Sequence, residues 1–266
     1  MDGHNAALEH LIRDYTEPVK DPVWSNIALS PGLLQVIGLE AFQKLNGIKQ
    51  LGPTYLVYPG ATHTRFAHSL GVLHIARRLL MHLLTHPDSE MPPAALAPEA
   101  VKAFLCAALL HDLGHYPFAH SLKELALAAH ETLTAERIEA PELAAALRGR
   151  VGTEPRLVAD IVDAHQPRPE APEVSFYRRL LSGVLDPDKL DYLNRDAYFC
   201  GVPHGVQDVD FALAEIRARP GGLAVTRKGL AAVESILFSK YQMYRSVYWH
   251  KTCLLYTSPS PRDRQK

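Results

Sequence analysis

The most constraining feature of this sequence is an apolar run, VKAFLCAALL at residues 101–110, that ends directly in His111 and Asp112. A run of this kind predicts a buried helix, so the imidazole and the carboxylate that follow it are carried toward the interior of the fold. Two more histidines, His115 and His120, come next in HDLGHYPFAH. A His-Asp pair alone is common, but its position after a buried helix indicates half of a metal site.

Composition places the chain among ordinary globular proteins and excludes some classes of partner. A length of 266 residues is enough for one large core or two modest domains. A composition of 47% hydrophobic and 21% charged residues is that of an ordinary globular protein. The formal net charge is -1, so the chain lacks the excess of Lys and Arg that is typical of proteins that bind nucleic acid or an anionic membrane. Any polyanion must therefore bind at a local site.

Cysteine usage and the N-terminal sequence predict a cytoplasmic protein. The three cysteines, Cys106, Cys200 and Cys253, are odd in number and widely spaced, so a disulfide framework is not expected. The N-terminal residues show no positively charged segment followed by an apolar one. No apolar run approaches the roughly 18 residues that a membrane-spanning helix needs, so we expect no membrane partner.

Helical periodicity dominates the chain and predicts an all-α fold with minor β-hairpins. Helices are expected near residues 2–15, 32–51, 64–84, 154–164 and 230–250, and a helix broken near Pro187 resumes through Tyr198. Alternation between prolines in DPVWSNIALSP, and the turn residues in RARPGGLAVTRKG, indicate two short extended or hairpin segments. The helix that begins near Thr64 places His68 one turn from its start.

Four side chains could supply the ligands of a hydrolytic metal centre: His68, His111, Asp112 and Asp188. Two imidazoles with two carboxylates suit Mn, Fe, Co, Ni or Zn better than they suit Ca. Mg is a further possible ion. Because none of the four is a cysteine, a closed structural zinc site is disfavoured. Successive helical residues point about 100° apart, so other helices must complete the coordination of an ion shared by His111 and Asp112.

The motifs around these residues, taken in order, resemble those of the HD-domain phosphohydrolases, and within them the deoxynucleoside triphosphate (dNTP) triphosphohydrolases related to SAMHD1. The similarity covers most of residues 20–252 and rests on KQLG (49–52), YPGATHTRFAHSLG (58–71), HDLGHYPFAH (111–120), HE (130–131), DPDKLDYLNRDAYFCGV (186–202) and YWHKT (248–252). The resemblance implies an all-α HD-domain fold in which a divalent metal ion is held by His68, His111, Asp112 and Asp188.

The resemblance also implies a substrate, a dNTP, and the side chains that bind it. Arg65 and Lys189 would contact the phosphates, with Lys240 and Arg245 on the last helix as weaker candidates. Several negative charges must be neutralised there beside the metal. At the nucleoside end the implied contacts are Gln50 and Asp196 with the sugar 3'-hydroxyl, Tyr192 with the sugar where a 2'-hydroxyl has no room, and Leu51 and Tyr248 with the base.

Acid-base work falls to His115, His120 and His130, which the family places around the reacting α-phosphate. An imidazole there stabilises developing negative charge or protonates the leaving 5'-oxygen, because its pKa lies close to neutral pH. The sequence leaves open which histidine does which. Relatives often carry an acid three residues after His120, where this chain has Lys123. Glu124, one position further on, lies on the same helical face and is the candidate to replace that acid.

The domain prediction is one HD phosphohydrolase domain over residues 1–252. After Thr252 the sequence changes from an aromatic, periodic helix to a string of Ser, Pro and Arg without a core pattern. We interpret residues 253–266 as a non-native or disordered tail, so that the natural domain continues beyond this point.

Three functions are compatible with the sequence. The first is metal-dependent hydrolysis of a dNTP to deoxynucleoside and inorganic triphosphate, by attack of water at the α-phosphorus. The second keeps the metal site and takes another nucleotide or phosphoester as substrate. The third is a nucleotide-binding regulator with weak or no turnover. Metal identity, base preference, activation by a nucleotide and homo-oligomer formation stay open.

Overall fold

The computed structural model describes residues 3–117, 128–165, 170–219 and 222–249. Its α-helices, in chain order, are α1 (Gly3–Arg13), α2 (Pro31–Gly38), α3 (Glu40–Gln43), α4 (Arg65–Thr85), α5 (Pro98–Leu110), α6 (His130–Ile138), α7 (Pro141–Ala146), α8 (Pro155–Val162), α9 (Pro172–Leu181), α10 (Pro187–Cys200), α11 (Val209–Ala214) and α12 (Leu230–Met243). Short 3-10 turns lie at Lys44–Gly47, Gly52–Leu56 and Pro93–Leu96, and π-helical turns at Leu147–Val151 and Tyr244–Tyr248.

Two antiparallel hairpins complete the described part of the chain. Strand β1 (Glu17–Asp21) pairs with β2 (Ser25–Leu29), with Glu17 opposite Leu29. Strand β3 (Ile216–Arg219) pairs with β4 (Gly222–Val225), with Ile216 opposite Val225. The prediction of an all-α fold with minor hairpins is confirmed.

Helix α4 organises the core. Its N terminus is fixed by Thr64, whose side chain accepts a hydrogen bond from Ala67 N and whose backbone forms an isolated bridge with Lys49. Most of its residues are buried, and it packs against both α5 and α10. Helix α4 therefore places His68 beside the end of α5 and the start of α10.

Helix α5 is buried almost throughout, as the apolar run predicts. Apart from Lys102, every residue from Ala100 to Leu110 is buried, and His111 is the C-cap. The turn that follows is fastened to α6 by Thr134, whose hydroxyl accepts a hydrogen bond from Gly114 N (2.8 Å) and donates one to His111 O (3.1 Å). Only glycine fits at position 114, because a Cβ there would lie 2.1 Å from His130 O.

Helix α10 carries Asp188 in its first turn. The Asp186 side chain caps the helix by accepting a hydrogen bond from Lys189 N (2.7 Å). Pro187 occupies the first helical position, where its missing N–H costs no hydrogen bond. The cap and the proline explain why the chain resumes a helix here, as the sequence predicts.

The buried apolar side chains form one hydrophobic cluster to which nearly all of these elements contribute. Its largest fully buried members include Phe42, Leu73, Ile75, Leu79, Phe104 and Tyr177. Among the described residues, no helix combines the length and the apolar character that crossing a membrane would require. Residues 253–266 lie outside the described ranges, and the single domain over residues 1–252 stays a prediction.

Candidate metal centre

The structure brings the four predicted ligands together. His68 lies in α4, His111 and Asp112 follow α5, and Asp188 lies in the first turn of α10. One donor atom each of His68, His111 and Asp112 lies within 4.8 Å of the other two. The Oδ1 atom of Asp188 is 3.0 Å from His68 Nε2 and 3.7 Å from His111 Nε2.

The spacing of these donor atoms fits a divalent ion. Two atoms bound to one ion at about 2.1 Å lie roughly 3.0 Å apart at a right angle and roughly 3.4 Å apart in a tetrahedral site. From each imidazole Nε2 to the nearest oxygens of Asp112 and Asp188, the distances run from 3.0 to 3.8 Å. His111 Nε2 is also buried without a hydrogen-bond partner among the described residues, as expected of a nitrogen that binds a metal.

Both imidazoles are oriented so that Nε2 would be the atom that binds a metal ion. His68 Nδ1 is hydrogen bonded to Asp191 Oδ2 at 2.7 Å, and His111 Nδ1 to Ala108 O at 2.9 Å. A carbonyl or a carboxylate oxygen accepts, so Nδ1 carries the proton of each neutral ring. The lone pair on Nε2 is then available to an ion.

The charges around His68 favour a cation. Burial alone would lower the pKa of His68, but its hydrogen bonds with Asp188 and Asp191 outweigh burial and raise the pKa to about 10. Burial alone would raise the pKa of Asp188, but the neighbouring imidazoles of His111 and His68 lower it instead. Both shifts favour positive charge between these groups, and a divalent ion would supply that charge.

Arg65 is buried directly beside the ligands. Its Nη1 donates a hydrogen bond to Asp112 Oδ2 at 2.5 Å. Burial opposes ionisation of Asp112, but the Arg65 charge outweighs it and holds the pKa of Asp112 well below its usual range. Arg65 Nε is buried and has no hydrogen-bond partner among the described residues, and its predicted phosphate contact stays a prediction.

The other predicted phosphate-binding cations have local partners. Lys189 donates to the Asp186 carboxylate and to Gly183 O (3.0 Å). Its ammonium group is therefore paired with the residue that caps its own helix. The Nζ atom of Lys240 and the guanidinium carbon of Arg245 each lie 5.9 Å from the ring centre of a tyrosine, Tyr244 and Tyr241 respectively. Phosphate binding by these three cations stays a prediction, and for Lys189 it requires leaving a buried carboxylate.

The predicted nucleoside-binding residues form a second cluster. Asp196 is buried, accepts a hydrogen bond from Tyr248 Oη (2.7 Å) and lies 2.8 Å from His63 Nε2. His63 O in turn accepts from Gln50 N. Gln50 Oε1 is buried with no hydrogen-bond partner in the described part of the chain. The rings of Tyr192 and Tyr248 are in contact, so Tyr192, Asp196 and Tyr248 lie together, and Leu51 follows Gln50 in the chain.

Two of the predicted acid-base histidines stack beside the ligands. The rings of His115 and His130 are 4.0 Å apart, and His115 Nε2 lies 3.1 Å from Asp112 Oδ1. Burial outweighs the hydrogen bond with Asp112 and lowers the pKa of His115 to about 4; burial also lowers the pKa of His130. Both rings are therefore neutral at neutral pH without substrate. His120 and Glu124 lie outside the described residues.

The residues that support His68 were missed in the sequence analysis. Asp191 receives the His68 hydrogen bond, and Arg195 and Trp24 contact the same carboxylate. Asp191 follows Asp188 by three residues, which puts both carboxylates on one face of α10. This spacing is the sequence feature that could have identified Asp191 as part of the site. The contact with Trp24 spans 167 positions and has no local signature.

Two family models match the chain: "HD domain" over residues 65–196 and "HD associated region" over residues 208–258. The uncharacterized protein YwfO of Bacillus subtilis is 38% identical over 234 residues, covering 87% of this chain and 51% of that protein. The deoxynucleoside triphosphate triphosphohydrolase SAMHD1 of Danio rerio is 29% identical over 280 residues, covering 92% and 44%. The chain thus spans about half the length of the curated relatives it matches.

Solved structures agree with the family models. The crystal structure of a phosphohydrolase from Bacteroides thetaiotaomicron superposes with a TM-score of 0.76 at 30% sequence identity, covering 91% of this chain and 56% of that one. All four candidate ligands, His68, His111, Asp112 and Asp188, fall within the matched HD-domain range. This chain belongs to the HD-domain family.

Proposed function

We propose that this protein hydrolyses dNTPs to deoxynucleoside and inorganic triphosphate in a metal-dependent reaction. The observation that carries the proposal is the convergence of His68, His111, Asp112 and Asp188, with His111 Nε2 buried and unpartnered among the described residues. The similarity to a protein named as a dNTP triphosphohydrolase supports the choice of substrate.

The ligands and Arg65 divide the work at the metal. A bound divalent ion supplies Lewis acidity at the phosphate and lowers the pKa of a water molecule beside it. The four side chains would hold the ion, and Arg65 would keep Asp112 ionised. The Asp188 side chain is 36% exposed whereas that of His68 is 1% exposed, so substrate approaches from the Asp188 side.

His115 and His130 supply the proton-transfer groups in this proposal. Each is neutral before substrate binds, so each ring offers one N–H donor and one acceptor nitrogen. The negative charge of a bound triphosphate raises the pKa of a neighbouring imidazole, which prepares one ring to protonate the leaving 5'-oxygen. His120 and Glu124 complete the predicted set, and the order of their roles stays open.

In this proposal the cluster of Gln50, Tyr192 and Asp196 would select a deoxyribose. Gln50 Oε1 is a buried acceptor without a partner among the described residues, which costs about 1 to 3 kcal/mol. The 3'-hydroxyl of a deoxynucleotide would donate to it or to Asp196. Tyr192 would pack against the sugar carbon that carries the 2'-hydroxyl in a ribonucleotide.

Trimming Tyr192 is expected to relax sugar selection in one direction only. Wild type should hydrolyse dNTPs and reject both NTPs and 2',3'-dideoxy analogues. Tyr192→Ala should gain activity on NTPs, because it opens space at the 2'-position, and should still reject dideoxy analogues, which lack the 3'-hydroxyl. Tyr192→Phe, which keeps the ring, is the matched control. The measurement is kcat/KM for the three substrate classes; equal wild-type activity on NTPs and dNTPs would refute the sugar pocket.

A second candidate is hydrolysis of a phosphoester with fewer phosphates. It is favoured by the local partners of Lys189, Lys240 and Arg245, since a triphosphate needs more positive charge than Arg65 alone provides. Release of orthophosphate from a nucleotide, with no inorganic triphosphate, would support this candidate over the first.

A further inference from the structure

We propose that Asp191 is the positioning residue of the metal centre: it fixes the His68 ring through Nδ1, and is itself locked by Arg195 and by the indole of Trp24 at the tip of the β1–β2 hairpin. The inference rests on the proposed role of His68 as a metal ligand. Asp191, Arg195 and Trp24 would then support the site from behind the metal ligands, and Trp24 comes from the β1–β2 hairpin, which is distant in sequence.

The Asp191 carboxylate is saturated with donors. Its Oδ2 accepts hydrogen bonds from His68 Nδ1 (2.7 Å) and Arg195 Nε (2.9 Å). Its Oδ1 accepts from Arg195 Nη2 (2.9 Å) and Trp24 Nε1 (2.5 Å). Four donors use the four lone-pair directions of a carboxylate, so Asp191 can orient a ligand but has no lone pair left for the ion.

Arg195 anchors this carboxylate to the first hairpin. The arginine is fully buried, and its Nη1 donates to Asp21 Oδ2 at 2.8 Å. Asp21 Oδ1 accepts from Val23 N and Trp24 N, which shapes the hairpin tip that carries the indole. The guanidinium also outweighs burial and lowers the pKa of Asp191 to about 2, so the carboxylate stays ionised.

Helix α4 leaves room for this arrangement at Gly71. A Cβ at that position would lie 1.8 Å from Asp191 Oδ1 and 2.5 Å from Arg195 Nη2. Gly71 is one turn after His68 on the same helix, so the glycine lets the carboxylate reach the ring beside it. Gly71→Ala therefore displaces Asp191 sterically, without changing any charge.

A positioning role and a purely structural role predict different results. Loss of a carboxylate that orients a metal-bound histidine typically weakens metal binding about 10- to 100-fold. A buried ion pair that only stabilises the fold would lower the melting temperature equally with and without metal. The discriminating quantity is therefore metal affinity, measured together with the thermal shift that the metal produces.

The experiment compares Asp191→Asn and Gly71→Ala with two matched controls. Gly38→Ala adds the same methyl group to another helix, where no atom lies within 4 Å of the new Cβ. Tyr177→Phe removes a buried hydrogen bond, to Ala95 O at 2.6 Å, away from the candidate ligands. Dissociation constants for Mn²⁺ and Zn²⁺ are measured by competition with a chromogenic chelator, and melting temperatures with and without each ion.

We expect metal binding about 10- to 100-fold weaker in Asp191→Asn and Gly71→Ala, with a reduced metal-induced thermal shift, and unchanged affinity in both controls. Wild-type affinity in the folded variants would overturn the inference and leave the proposed function standing. Absence of metal binding by wild type would overturn both. If neither variant folds, Trp24→Phe decides, since it removes one half-buried donor: a several-fold loss of affinity supports the inference, and no loss overturns it.

Discussion

Asp188→Ala should abolish turnover and strip the protein of its metal. The substitution removes the charged donor that lies 3.0 Å from His68 Nε2 and 3.7 Å from His111 Nε2. Loss of a direct ligand should weaken metal binding by more than the roughly 10- to 100-fold loss that follows removal of an outer partner. Metal content of the purified variant, measured by mass spectrometry beside its turnover rate, checks the result.

Lys189→Ala is the matched control, one residue along the same helix. Its ammonium pairs with Asp186 and Gly183 O, so its loss should leave metal content at the wild-type level. If Lys189 moves to a substrate phosphate on binding, KM rises; the buried Asp186 carboxylate also loses its partner, so the variant should be less stable. Equal loss of metal from both variants would contradict the separate roles of the two neighbours.

Removing the metal should have an effect as large as losing a ligand. Prolonged chelation should eliminate turnover, and addition of one of Mn, Fe, Co, Ni, Zn or Mg should restore it. A ligand present at 100 times its dissociation constant stabilises a folded protein by about 2.7 kcal/mol, so the stripped protein should also melt at a lower temperature. Full turnover by protein without detectable metal would refute the metal-dependent mechanism.

Much of the fold follows from local sequence signals. The apolar run predicts the burial of α5, Thr64 marks the start of α4, and the capping residue before Pro187 marks the start of α10. These features work because a cap or a helix face is decided by neighbours in the chain. The alanine-rich stretch from Ser121 to Leu147 also favours helix; its residues 121–127 lie outside the described ranges, and the part from residue 128 contains α6 and α7.

The candidate site divides between what local motifs predict and what tertiary packing decides. His68, His111, Asp112 and Asp188 stand out because each belongs to a short ordered motif. The pairing of Arg195 with Asp21 spans 174 positions, and no sequence pattern identifies one acid among many as the partner of a buried arginine. Lys189 shows the opposite difficulty: it neighbours Asp188 in sequence, but helix geometry and capping direct it to Asp186.

The position of bond cleavage tests the central claim most directly. Purified, metal-loaded protein is incubated with each dNTP in water labelled with heavy oxygen, and the products are separated and weighed by mass spectrometry. Attack of water at the α-phosphorus predicts inorganic triphosphate carrying one labelled oxygen and a deoxynucleoside whose 5'-hydroxyl is unlabelled. Labelled orthophosphate together with a nucleoside diphosphate, or label in the 5'-hydroxyl, would contradict it.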